Sequence, residues 1–295
     1  MIPTSSGGVK VPGGRPLAVP ARPQLCPPER GLVRAFPLTG VHVSSSISAV
    51  IYFVRYLLVA LCTMFWGVLG VFLGVVDRSG RAILWVARSW IHWCLGVCGV
   101  RVEAVGAEDV PNPCVVVSNH QSVFDIAAII ETFPHPIWRF VAKRELLRVP
   151  FFGWALAVAN QIIIDRRDNA RAVRSLKLAA ARVRGGESVI IFPEGTRSSD
   201  AILHEFKSGG FHLAIEAGVP VVPVTVSGTH EVTPKGSLRI ESCPVVIRYG
   251  TPIPTQGLDV GDRNDLKKRV REAILAGYDP LLQPGGGIPE PSGPA

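Results

Sequence analysis

From Tyr56 to Val76 the chain carries no charged side chain, and Arg55 is the single charge in the longer apolar run from Ile47 to Val76. A helix over 56–76 is about long enough to cross the roughly 30 Å hydrocarbon core of a bilayer. Arg55 sits at one end, where its stem reaches the headgroups. A buried core helix would read the same way, and composition favours the membrane. Hydrophobic residues make up 47%, charged residues 18% and the mean hydropathy is +0.31. These values are too apolar for an ordinary soluble protein and too charged for a multi-span transporter. They predict a globular domain with an attached membrane element.

Residues 1–46 are rich in Pro, Gly and Arg without an apolar period, and read as a disordered leader. The apolar run begins too late for a secretory signal, and no small-residue cleavage site closes it. After it, Arg81, Trp85, Arg88 and His92 recur on one helical face, while Ile83, Leu84, Val86, Ala87 and Leu95 occupy much of the rest. Trp90 and Trp93 add rings suited to a membrane–water boundary, so 81–100 reads as an interfacial helix. The segment 47–100 is therefore the expected anchor, with a spanning helix over 56–76.

From 101 to 278 the pattern changes. Short β-branched runs (Cys114–Ser118, Ile162–Ile164, Ser188–Phe192, Val221–Val226, Val245–Tyr249) alternate with helical stretches near Ser122–Glu131, Asn169–Val183, Ser208–Ala217 and Leu266–Ala276. That alternation predicts an α/β fold, a mixed, mostly parallel sheet covered by helices. Residues 279–295 are Pro/Gly-rich and read as a flexible tail.

The net charge of +8 points to an anionic partner. A bilayer or an acidic carrier fits better than nucleic acid, because no nucleic-acid-binding module accompanies the charge. The six cysteines are scattered, with neither a disulfide framework nor a metal-ligand set, so no metal is expected. A reducing, cytoplasmic setting follows for the globular domain.

Chemistry concentrates in VVVSNHQSVFD at 115–125. His120 and Asp125 are five apart, about 140° on a regular helix. They converge only if His120 lies in the loop before the helix and Asp125 in its first turn. With Ser122 as N-cap, Asp125 also fits a capping box, and the two roles are compatible. An imidazole held by a carboxylate suits general-base work, since the carboxylate fixes the tautomer and stabilises the imidazolium. The sequence has no GxSxG elbow, so an acyl-enzyme intermediate is not required.

A second segment, IIFPEGTRS at 190–198, empties a strand into a Gly-opened turn bearing Glu194, Thr196, Arg197 and Ser198. Guanidinium and hydroxyl groups there suit a phosphate, although a solvated polar turn reads alike. IIIDRRD at 162–168 ends a strand with an acid and Arg, and VPVVPVTV at 219–226 sets Pro220 and Pro223 about an apolar strand.

In this order the four segments resemble the glycerolipid acyltransferase family of 1-acylglycerol-3-phosphate acyltransferase type. Its NHxxxxD motif matches Asn119, His120 and Asp125. Its second motif matches Asp165 and Arg166, FPEGTRS is complete from Phe192 to Ser198, and the Pro-flanked strand fits Pro220 to Pro223. AKRELLRVPFFGW at 142–154 and FKSGGFHLA at 206–214 are also similar to the family, so the resemblance covers about 100–250.

The resemblance implies that His120 is the base and Asp125 its orienting partner. Asn119, Asp165, Arg166, Phe192, Glu194, Gly195, Thr196 and Arg197 would form the acceptor side, and Lys143 would help the thioester oxyanion. It implies transfer of an acyl group from acyl-CoA or acyl-carrier-protein to lysophosphatidate, forming phosphatidate without metal or bound cofactor. Expected partners are the two substrates and a lipid bilayer, at the plasma membrane with the catalytic domain on the cytoplasmic side. The alternatives are another lysolipid acceptor such as a lyso-ornithine lipid, or an idle lipid-binding protein of the same fold.

Overall fold

The computed structural model of the chain describes residues 45–77, 80–150, 152–164, 169–279 and 282. The leader before Ser45, the tail after 282, and both Asp165 and Arg166 lie outside the described residues.

Among the described residues seven strands form one sheet: β1 (Arg101–Val105), β2 (Val115–Ser118), β3 (Trp138–Lys143), β4 (Ile162–Ile164), β5 (Ser188–Ile191), β6 (Val221–Ser227) and β7 (Pro244–Tyr249). Their order is β1-β7-β6-β2-β5-β3-β4. All neighbours are parallel except β6 and β7, which run antiparallel. The fold is thus α/β with a mixed, mostly parallel sheet covered by helices.

The central strands are buried on both faces, as their unbroken apolar runs require. Val115 and Val117 of β2 face one core with α5 (Asn169–Arg184), α6 (Gly209–Ala217) and α8 (Arg263–Ala276). Val116, between them, faces the other core with α2 (Arg81–Cys98) and α3 (Phe124–Thr132). A one-residue register slip would exchange these two sets. Two strands were missing from the sequence reading. β1 is an edge strand whose residues are mostly exposed, and β3 (WRFVAK) mixes charges among its apolar residues, so neither shows a clean period.

Among the described residues two helices precede the sheet. α1 (Ser45–Val76) is long and apolar enough to cross a membrane by length and composition. α2 places Ile83, Leu84, Val86, Ile91, Leu95 and Cys98 in the buried interior. It is therefore part of the fold of the globular domain as well as its covering layer.

α1 is docked over most of its length. Near its start Tyr52 donates a hydrogen bond to Glu241, and Arg55 donates to the Ile240 carbonyl and, at 2.9 Å, to Ser242 Oγ. Further along, Trp90 Nε1 donates to Thr63 Oγ1 at 3.1 Å. At Gly74 a Cβ would meet Val158 Cγ1 at 2.1 Å, so only glycine lets α1 approach α4 (Phe152–Val158) this closely.

Candidate active site

The parallel strands β2, β3, β5 and β6 discharge loops at their carboxyl ends, the usual place for a site in such a sheet. Past Ser118, the Asn119 side chain extends the ladder. Its Nδ2 donates to the Val226 carbonyl and its Oδ1 accepts from the Val226 N–H, each at 2.8 Å. This pins the start of the His120 loop against β6.

His120 Nδ1 lies 2.7 Å from Asp125 Oδ2, with the histidine side chain 22% exposed and the aspartate fully buried. The carboxylate accepts, so Nδ1 carries the proton and Nε2 keeps its lone pair. The Phe192 ring stacks on the imidazole at 4.2 Å between centroids. Asp125 Oδ2 also accepts from the backbone N–H groups of Gln121 at 2.6 Å and Ser122 at 2.9 Å.

The expected start of the helix at Ser122 needs correction. α3 opens at Phe124, and Ser122 Oγ instead donates to the Thr233 carbonyl at 2.9 Å. The orphan donors of the loop are met by Asp125 turning back on them, so one carboxylate serves both the loop backbone and the imidazole.

The 192–198 loop is bound to the His120 loop. The Ser198 N–H donates to the His120 carbonyl at 2.7 Å, and Gly195 takes a positive φ of 77° as its N–H closes a turn on the Phe192 carbonyl. Glu194 lies inside. Its Oε1 accepts from the His120 N–H at 2.7 Å and its Oε2 from the His204 N–H at 3.1 Å. Burial pushes its carboxyl up to about 7, against the lowering effect of those two donors.

The Arg197 side chain, half-exposed, makes no hydrogen bond or ion pair with a described residue, and Thr196 is exposed. Beside them Lys235 Nζ donates to the Arg197 carbonyl at 2.8 Å. Lys143 is exposed at the end of β3, opposite Ile164 on β4, whose continuation carries Asp165 and Arg166 outside the described residues.

The structure therefore gathers Asn119, His120, Asp125, Phe192, Glu194, Gly195, Thr196 and Arg197 at one end of the sheet. It divides them in two. The polar atoms of Asn119 and Glu194 are spent on the chain's own backbone, while Thr196 is exposed and Arg197 half-exposed.

Two neighbours escaped the sequence reading. Lys235 lies in a loop without a motif, and Thr229 reaches Asp125 across 104 positions of chain. No periodicity or spacing could have joined them to the site.

The chain is similar to known proteins. The family profile described as Acyltransferase matches residues 101–227. The 1-acyl-sn-glycerol-3-phosphate acyltransferase of Saccharomyces cerevisiae is 32% identical over 252 residues, covering 81% of this chain and 82% of the yeast protein. The chain belongs to this acyltransferase family. The human 1-acyl-sn-glycerol-3-phosphate acyltransferase alpha is 37% identical over 203 residues, covering 64% of this chain and 71% of its own. The crystal structure of the 1-acyl-sn-glycerophosphate (LPA) acyltransferase PlsC from Thermotoga maritima superposes with a TM-score of 0.68 at 28% identity. It covers 78% of this acyltransferase and 94% of the Thermotoga chain. The chain is thus an acyltransferase enzyme, with the fold of that structure.

Proposed function

We propose that this acyltransferase moves a fatty acyl group from an acyl thioester, acyl-CoA or acyl-carrier-protein, to the free hydroxyl of 1-acylglycerol-3-phosphate. The observation that carries the reading is the His120–Asp125 pair, with Nε2 unspent beside the Arg197 loop. His120 Nε2 takes the hydroxyl proton as the hydroxyl oxygen attacks the thioester carbonyl carbon. The C–S bond breaks as the tetrahedral oxyanion collapses, and the departing thiolate receives that proton from the imidazolium. The products are phosphatidate and a free thiol.

On the acceptor side, Arg197 offers its planar fork to the phosphate. Thr196 adds a hydroxyl and Lys235 a second cation, with Arg166 completing the set. Lys143 serves the oxyanion. Asn119 and Glu194 hold the loops that present these groups, and Phe192 supports the imidazole. Such relatives are named for the same acceptor.

An apolar cavity of about 270 Å³ lies between α1, α2 and α3, lined among others by Gly70, Ile83, Val86, Trp90, Ile126 and Ala127. It adjoins the helix that carries Asp125 and suits an acyl chain. Membrane attachment belongs to α1, whose outward face presents Phe53, Leu57, Leu61, Phe65, Val68 and Phe72 to the surroundings. From Tyr52 to Gly74, about 33 Å of helix, the opposite face is docked on the domain. A helix held in this way lies in the bilayer with the domain beside it.

The test is thiol release in detergent, with acyl-CoA or acyl-carrier-protein as donor and a panel of acceptors. The highest kcat/KM is expected for lysophosphatidate. Preference for a lyso-ornithine lipid, or for an acceptor without a phosphate monoester, would overturn the assignment.

A further inference from the structure

Asp125 holds the imidazole through Oδ2, which also takes two backbone N–H groups, whereas Oδ1 is met by one group among the described residues. That group is Thr229 Oγ1, 2.5 Å away, and both side chains are fully buried. The contact depends on the exit from β6. Gly228 adopts a positive φ of 93°, and a Cβ there would meet the Pro244 carbonyl oxygen at 2.3 Å. The chain can therefore turn tightly at the end of β6 and set Thr229 under Asp125, at the start of the short helix α7 (Thr229–Val232).

We propose that Thr229 is a positioning residue of the acyl-transfer reaction, its hydroxyl fixing the carboxylate that orients His120. The proposal rests on the reading of His120 as general base.

The physical reason is the division of labour on the carboxylate. Three donors converge on Oδ2, and the Oδ1 bond is what stops the group from rotating about its last side-chain torsion. In a buried site a carboxylate oxygen without a donor is costly, and the group relaxes to find one. Any rotation lengthens the bond to Nδ1 and turns Nε2 away from the substrate. Withdrawing a donor also leaves more negative charge on the carboxylate, which makes the imidazole more basic.

Other titratable or charged groups face this assembly. Glu194 stands in the β5 turn, and Tyr278 follows α8, with Arg271 of α8 acting on both. His230 is the neighbour of Thr229 on α7, and Lys235 lies against the Arg197 carbonyl. None of them donates to Oδ1.

The experiment compares Thr229→Ser, Thr229→Cys and Thr229→Val in the full-length protein in detergent, with His120→Ala as reference. For each variant kcat, the KM of both substrates, the pH profile of kcat and the Tm are measured. Serine keeps the hydroxyl, cysteine keeps only a weak S–H donor and valine keeps only the shape. The expected order of kcat is Ser above Cys above Val, with valine about 10-fold down, the low end for a hydrogen bond to a charged group. Neither KM should move, and the acid limb of kcat should shift to higher pH from Ser to Val. If the valine variant fails to fold, the Ser–Cys difference in kcat and in the acid limb decides. Equal kcat and equal pH limbs across the folded variants, while His120→Ala is inactive, overturn the proposal. So does a serine variant as impaired as valine. An active His120→Ala instead overturns the underlying base assignment.

Discussion

Glu194 and Arg197 are three residues apart, one buried and the other half-exposed, with different consequences. Burial raises the Glu194 carboxyl from 4.5 to about 7. Between those values the folded chain holds a proton that the unfolded chain has released, so stability falls as pH rises through that window and is flat above it. At about 1.4 kcal/mol per unit the effect is at most ~3 kcal/mol. The Tm should therefore decline from pH 5 to 7.5, and Glu194→Gln should flatten the decline. An unchanged slope in that variant would assign the titration to another group. Arg197 is half-exposed, and its loss should reduce kcat/KM for lysophosphatidate by about 10–150-fold, the worth of a charge-assisted hydrogen bond. Arg197→Lys should lie between, because it keeps the charge and loses the fork. The KM of the acyl donor should change little, and equal losses on a phosphate-free acceptor would show a structural role. The motif made both residues visible in the sequence. It did not show which one turns inward, because that depends on where the His120 and His204 N–H groups lie in space.

Among the elements, the strands with unbroken apolar runs were legible, and β1 and β3 were not. The two strands missed are those in which exposure or charge breaks the pattern. The apolar run of α1 marked it as a membrane element, but the docking of one side is a tertiary fact, carried by Arg55, Thr63, Gly70 and Gly74. For α2 the aromatic and basic residues suggested an interface, and its other face turned out to be core. Removal of everything before Arg101 would therefore expose core residues as well as remove the anchor. Substitution on the outward face of α1 is the cleaner test. Phe53, Phe65 and Phe72 changed together to Ser should release the protein from membranes on salt and carbonate washing, with little change in Tm, since these rings are exposed in the folded protein. Retention on the membrane after that change would place the anchor elsewhere.

For the whole molecule, the sheet explains why segments far apart in the chain act together. Because β2, β3, β5 and β6 are parallel, their carboxyl ends bring the His120 loop, Lys143, the Arg197 loop and Thr229 to one edge. The alternation of strands and helices predicted such a sheet. It did not predict that β2 lies between β5 and β6, which is the order that sets His120 beside the Arg197 loop on one side and Thr229 on the other. The central claim is that His120 takes the acceptor's proton, and it is tested most directly by thiol release with lysophosphatidate as acceptor, wild type against His120→Ala in detergent. The variant should remain folded and bind lysophosphatidate while turning over ~10²–10⁴-fold more slowly, the usual range for a positioned general base. Near-normal turnover by a folded, clean preparation of His120→Ala would contradict the account.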